Sequence, residues 1–373
     1  LSIIDLPEEK DREARFGAWA RTAKACSPLP ESGRPRGERP AGSPIPAKVG
    51  DPSPIRNVIY VVRENRTYDQ VLGDLEKGRG DPRLCLFGEK ITPNAHALAR
   101  EFVLLDNLYA DGEVSADGHE WSMGAYATDF VERHWPLGYG HNAKKKYDYP
   151  SEGRFPIATP ANGYLWNRAA EAGVSYRSYG EFCFTPTKPG PVQSIASLPS
   201  LVGHIDEQYR AWDMDYPDVK RAERFISELR RFERDGGMPR LQVLRLGNDH
   251  TQGTRAGKVT PAAMVAENDL ALGLIVEAVS RSRFWNDTAI FVLEDDTQNG
   301  ADHIDAHRMP GFVLGAWVKR GVVDSTMYST SSMLRTIELI LGLQPMSQYD
   351  AAAMPMWNAF ADRPDPTPYS ARP

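Results

Sequence analysis

From residue 57 onward the chain repeats one pattern: an apolar run of strand length, a loop, then a stretch with amphipathic helical spacing. The runs are NVIYVVR (57–63), FVLLDNLY (102–109), VSYRSYG (174–180), LQVLRLG (241–247), TAIFVLE (288–294) and FVLGAWV (312–318). Most are apolar on both faces, as strands are when helices cover both sides of a sheet. The clearest helical stretches are 162–172, 217–234, 260–282 and 329–341. Alternation of this kind predicts an α/β fold with a largely parallel central sheet and helices on both faces.

The N-terminal part reads differently. LSIIDLP (1–7) is a short strand ending at a proline, and its opening in mid-strand suggests a piece of something longer. No charged segment followed by an apolar one marks a signal peptide. Residues 8–25 are charged and of helical composition, whereas 27–54 are rich in Pro, Gly and Ser. That segment is expected to bury no core and to form an extended linker or a surface arm. The expected division is therefore an arm and linker over 1–54 and one large domain over 55–373. A net charge of -6 carries no basic surplus, so nucleic-acid binding is not expected. No apolar run approaches the roughly 20 residues that span a bilayer. Cys26, Cys85 and Cys183 are odd in number and lack C-x-x-C spacing, so a zinc–thiolate centre is not expected.

Ligands of open α/β sheets bind beyond the carboxyl ends of the strands, so the residues after each run matter most. NVIYVVR is followed by Glu64-Asn65-Arg66, and FVLLDNLY by a loop with Ser115 and His119. LQVLRLG is followed by Asn248-Asp249-His250, and TAIFVLE by Asp295-Asp296, then Asp302, His303 and His307. Four runs thus end in oxygen and imidazole donors, a set that suits a divalent metal: Mg²⁺, Mn²⁺ or Ca²⁺, or with imidazole Zn²⁺ or Fe. Such an ion neutralises phosphoryl charge and makes a bound serine hydroxyl nucleophilic. Arg66 offers a planar fork to a phosphate oxygen. Each piece has a plainer reading. Glu294-Asp295-Asp296 alone is a solvated turn, Asn65 or Ser115 a helix cap, and His119 a packed helix residue. His303 and His307, four apart, share a face only on a helix. His96, His134, His141 and His204 are read as non-catalytic.

Three segments carry a family resemblance. VIYVVRENRTYDQVLGDL resembles the opening motif of the phosphoesterase family that includes bacterial phospholipases C and respiratory-burst-inhibiting acid phosphatases. DNLYADGEVSADGHEWS places Ser115 where that family has its Ser/Thr nucleophile, with Asp117-Gly118-His119 where the pattern often has Pro-Asn. FVLEDDTQNGADHIDAHR resembles the D-D-x(5)-D-H signature, and the likeness continues through RTIELILGLQPMSQYDAAAMPM. The resemblance implies an alkaline phosphatase-like three-layer sandwich. It implies Glu64, Asn65, Ser115, Asp295 and Asp296 as metal ligands, and attack by Ser115 to give a phosphoseryl intermediate. His250 would stabilise charge or protonate the leaving group. Asp249, His250, His303 and His307 would build a second metal site or surround the phosphate. The substrate is expected to be a phosphate ester, with phospholipase C-type diester cleavage or a non-catalytic binding module as alternatives. Trp121, Trp135, Phe182 and Phe184 could form the apolar surface that a lipid substrate needs. The C/S-x-P-x-R motif of sulfatases is absent around Ser115. The family also suggests export and, from LSIIDLP, a β-propeller ahead of this domain.

Overall fold

The computed structural model describes residues 6–26, 38–140, 147–186, 190–297 and 300–373. Most of LSIIDLP, residues 27–37 of the arm, and His141 lie outside them. Five strands form the central sheet: β1 (Asn57–Arg63), β2 (Tyr176–Tyr179), β3 (Leu241–Arg245), β4 (Thr288–Glu294) and β5 (Phe312–Gly315), in the order β2-β3-β1-β4-β5. The first four are parallel, and β5 is an antiparallel edge. Every residue of β1, β3 and β4 is buried, the physical counterpart of runs that are apolar on both faces.

Two groups of helices flank the sheet: α1 (Pro93–Glu101), α3 (Asp218–Asp235) and α4 (Pro261–Ser280) in one, α2 (Ser115–Gly124) and α5 (Thr330–Leu341) in the other. α4 starts where the sequence signals it: Thr260 caps the Ala263 amide and Pro261 takes the first turn, where its missing N–H costs nothing. α5 stops at Gly342, whose φ of 77° a side chain would oppose.

Register turns this fold into a site. Arg63 lies opposite Glu294 in the β1–β4 ladder, and Val62 opposite Arg245 in the β1–β3 ladder. The next residues, Glu64 and Asp295, therefore emerge side by side, the latter tied by its amide to the Arg63 carbonyl at 3.0 Å.

Two expectations need correction. FVLLDNLY is not a strand of the central sheet: Val103–Leu105 and Leu108–Tyr109 pair instead with Val322–Asp324 and Tyr328–Ser329. An apolar run reports burial and not the partner that buries it. The Pro-rich arm also contributes to the core, since residues 43–46 are buried and Ile45 is fully so.

Candidate active site

The loop after β1 turns sharply at Asn65, whose φ is 62°. Asparagine tolerates this left-handed conformation better than any other residue with a large side chain. Across from it, α2 begins at Ser115. Asp117, in its first turn, accepts the backbone amides of Glu113 (3.0 Å) and Val114 (2.9 Å), closing the helix start that the apolar cap residue Val114 cannot close. Two glycines let this helix reach the sheet. A Cβ on Gly118 would sit 2.5 Å from the Asp295 carbonyl oxygen, and one on Gly112 would sit 2.5 Å from Gly118 Cα.

The result is two adjoining groups. Ser115 Oγ donates to Asp296 Oδ2 at 2.9 Å and lies 3.4 Å from Asn65 Oδ1. Beside it, Glu64, His119 and Asp295 each present one donor atom, all within 4.8 Å of one another and all buried. His119 Nε2 is 3.2 Å from Glu64 Oε1 and 3.4 Å from Asp295 Oδ2, while Nδ1 is 2.8 Å from Glu181 Oε1. Glu181 thus lies behind Nδ1 without hydrogen-bond geometry, while Nε2 faces the two acids and Arg245 Nη2, 2.7 Å away. Arg245 reaches in from the end of β3, donating to Glu64 Oε1 at 2.7 Å and Glu152 Oε2 at 2.8 Å.

The charges do not balance. Among the described residues, the carboxylates Glu64, Glu152, Glu181 and Asp295 pair with just two basic groups, Arg245 and His119, and Asp296 lies beside them. Glu64 Oε2, Asp295 Oδ2 and both Glu181 oxygens are buried without a hydrogen bond. Burial opposes ionisation of Glu64, but Arg245 and His119 beside it outweigh that and hold its carboxyl at about 2. Burial, together with neighbouring Asp296 and Glu64, pushes Asp295 well above the carboxylate range; burial and Glu64 push Asp296 up to about 7. Orphaned acceptors in a buried surplus of carboxylates, with an amide, an imidazole and a hydroxyl alongside, fit a hard divalent cation.

The remaining predicted residues are placed as follows. His250 lines a cavity of about 650 Å³ together with Ser115, Glu64 and Trp212. Its Nδ1 lies 2.8 Å from the Thr251 carbonyl, so that nitrogen carries a proton and Nε2 is the other face. Thr251 has φ 62°, a strained value for a β-branched residue. Arg66 does not point its fork at the cavity: Nε and Nη2 donate to the carbonyls of Asp249 (2.7 Å) and His250 (2.8 Å). Asp249 is not brought to the carboxylate group either. Its carboxylate accepts the Glu64 amide at 3.1 Å and pairs with Arg63 at 3.2 Å, so it braces the loops. His303 and His307 are separate from the centre and from each other. His303 contacts Asp69 at 2.6 Å, and His307 contacts Glu113 at 3.2 Å and Asp305 at 2.9 Å. Asp69, Asp302 and His303 could hold a cation by spacing alone, but buried Arg308 already reaches both carboxylates at 2.9 Å. Of the aromatic residues read as a lipid surface, Phe182 is fully buried against Tyr164 and Trp166, while Phe184 is 56 % exposed and lines the cavity.

Glu152, Glu181 and Arg245 were not singled out from sequence. One signal was available for Arg245: a charge inside an apolar strand must find a buried partner. Glu181 also carried a signal, since it directly follows the run VSYRSYG (174–180), whereas Glu152 sits in a loop without local pattern.

The sequence matches the phosphoesterase family over residues 81–344, a span that includes Ser115, His119, His250, Asp295 and Asp296. The chain belongs to that family. This phosphoesterase is accordingly a hydrolase acting on phosphate esters. Glu64-Asn65-Arg66 lies ahead of the matched span. No curated protein sequence gives a significant match. Solved structures share the fold at low identity. A Vibrio parahaemolyticus protein of the alkaline phosphatase superfamily superimposes with a TM-score of 0.55 at 15% identity, covering 88% of this chain and 77% of its own. A Bacteroides thetaiotaomicron protein from a locus for the metabolism of multiple glycosaminoglycans gives 0.52 at 12% identity, with 82% of both chains covered. The lipoteichoic acid synthase LtaP from Listeria monocytogenes gives 0.50 at 13% identity, covering 84% of this chain and 79% of its own.

The approach of α2 to Asp295 yields a test. Gly118→Ala gains about 1 kcal/mol of helix propensity, but its Cβ meets backbone at 2.5 Å and the helix must move. Overpacking of this kind costs about 1–3 kcal/mol, and a shift near 1 Å in reacting groups costs about 100-fold in rate. The expected result is a lower melting temperature with kcat/KM down by about two orders of magnitude. A variant as active as the parent would show that the close packing does not set the site.

Proposed function

We propose that this phosphoesterase cleaves phosphate esters by nucleophilic attack of Ser115, with a divalent cation held by Glu64, Asn65, Ser115, Asp295 and Asp296, and with His119 completing the donor set. The observation that carries this reading is Ser115 Oγ, 2.9 Å from Asp296 at the wall of a cavity and backed by a buried surplus of carboxylates. When bound, the cation would supply countercharge for phosphoryl oxygens and lower the pKa of a hydroxyl.

The chain's own residues account for the rest. Ser115 Oγ forms a bond to phosphorus as the ester P–O bond breaks, and its proton has an acceptor in Asp296. His250, which lines the cavity, is the proton donor to the leaving oxygen. Water then cleaves the phosphoserine. Arg66 and Asp249 act at one remove, by fixing the loops that carry His250 and Glu64.

A diester with an apolar body is the second reading. It is favoured by Phe184 and its cross-strand partner Ile195, 56 % and 52 % exposed beside the cavity. No helix among the described residues is long and apolar enough to cross a membrane. Export and a preceding propeller rest on the family resemblance alone.

The test is hydrolysis of p-nitrophenyl phosphate and bis-p-nitrophenyl phosphate before and after chelation, with single metals added back. Turnover is expected to vanish on chelation and to return with one metal, and the ratio of the two rates separates monoesterase from diesterase. Full turnover after exhaustive chelation would remove the cation from the proposal.

A further inference from the structure

An anionic ester needs positive charge in its pocket, and two of the arginines nearest this one are engaged elsewhere. Arg66 is fixed on the carbonyls of Asp249 and His250, and Arg245 on Glu64 and Glu152. Arg154 lines the same cavity as Ser115, is exposed, and has no carboxylate within ion-pair reach among the described residues. Its guanidinium is held by the Tyr149 ring, 5.8 Å to the centroid.

The backbone that presents Arg154 is built for one position. Residues 151–154 form a tight turn closed by the Arg154 amide on the Ser151 carbonyl at 3.2 Å. Both central residues are left-handed, Glu152 at φ 54° and Gly153 at φ 77°. Glutamate is uncommon there, and the conformation persists only where the surroundings enforce it. They do: Ser151 Oγ donates to buried Glu120 at 2.8 Å, the Glu152 amide donates to the same oxygen at 3.2 Å, and Glu152 accepts from Arg245 at 2.8 Å. A Cβ on Gly153 would meet the Ser197 carbonyl at 2.9 Å. One strained turn thus ties the Glu64–Arg245 network to Arg154 at the cavity wall.

We propose that Arg154 binds the phosphoryl oxygens of the substrate. This rests on the cavity being the ester site. The planar fork matches phosphate oxygens in pairs, and the Tyr149 face limits the rotamers it must give up on binding.

The experiment is calorimetric titration of inorganic phosphate into the metal-loaded parent, Arg154→Ala and Arg154→Lys, with turnover and melting temperature measured in parallel. Arg154→Ala is expected to weaken phosphate roughly tenfold to a hundredfold, the range for a lost pair of charge-assisted hydrogen bonds, with melting unchanged. Lys is expected to keep part of the affinity, and added guanidinium to restore part of it to the Ala variant. Phosphate binding to Arg154→Ala as tight as to the parent overturns the proposal. So does lost affinity that neither Lys nor guanidinium restores, which would mark a structural role. If phosphate binds through Arg154 but no ester is cleaved, the anion site stands and hydrolysis at Ser115 falls. If esters are cleaved while Arg154→Ala binds phosphate normally, the reverse holds.

Discussion

Ser115→Ala is expected to abolish turnover of phosphate esters and to leave the fold intact. The substitution removes the oxygen proposed to attack and its single shared proton, donated to Asp296 Oδ2 at 2.9 Å with Asn65 Oδ1 at 3.4 Å. A shared hydroxyl proton of this kind is worth about 1 kcal/mol net, small against the roughly 5–15 kcal/mol by which domains are stable. Helix α2 keeps its start, because the amides of Glu113 and Val114 are closed by Asp117 and not by Ser115. The chemical loss is far larger. Enzymes deprived of a covalent nucleophile fall by roughly four to six orders of magnitude. The measurement is single-turnover hydrolysis with a melting curve on the same preparation. A variant within tenfold of the parent, equally folded, would move the nucleophile elsewhere. Trapping labelled phosphate on the parent but not on the variant would identify the intermediate directly.

The parts of this candidate site that strand position alone made legible share one property: they follow a buried parallel strand. Glu64-Asn65 after β1 and Asp295-Asp296 after β4 had to meet once the two strands were adjacent, and the ladder pairing Arg63 with Glu294 brings them together. Ser115 was singled out from its motif, but its route to the candidate site was misread. FVLLDNLY belongs to small paired strands outside the central sheet, and close glycine packing against Asp295 draws α2 inward. Residue type alone misled at Arg66 and Asp249, where groups suited to phosphate or metal serve the backbone instead. It misled again at His303, whose cluster already contains Arg308. Glu181 follows the run VSYRSYG and was overlooked, whereas Glu152 and Arg154 come from a loop whose course depends on tertiary contacts, and a strained turn such as 151–154 leaves no periodic trace. The arm failed as a core-free linker for a similar reason: composition describes the average of 27–54, and one Ile45 suffices to anchor part of it.

Replacing Asp295 and Asp296 together by asparagine is expected to lower metal content to background without destabilising the metal-free protein. Asparagine keeps the volume and removes two of the five carboxylates that crowd Arg245 and His119. Burial and its neighbours hold Asp295 well above the carboxylate range, and burial and Glu64 raise Asp296 from 3.8 to about 7. A carboxyl whose folded pKa is raised stabilises the fold only while protonated. Its contribution is complete below the unfolded pKa near 3.8 and is lost as pH rises through about 7. The metal-free parent should therefore melt at progressively lower temperature from about pH 4 to about pH 7, and the double variant should lack most of that slope. A divalent cation should reverse the loss in the parent, by mass action on the folded state, and do nothing for the variant. Elemental analysis with melting curves across this pH range reads both effects. Full metal occupancy in the variant would place the ion at another cluster, of which Asp69, Asp302 and His303 form the one candidate group among the described residues. A variant with no metal and an unchanged pH slope would instead show that other carboxyls raised by burial, Glu120 to about 7 and Asp117 to about 6, carry the slope, leaving the ligand assignment standing and its electrostatic signature elsewhere.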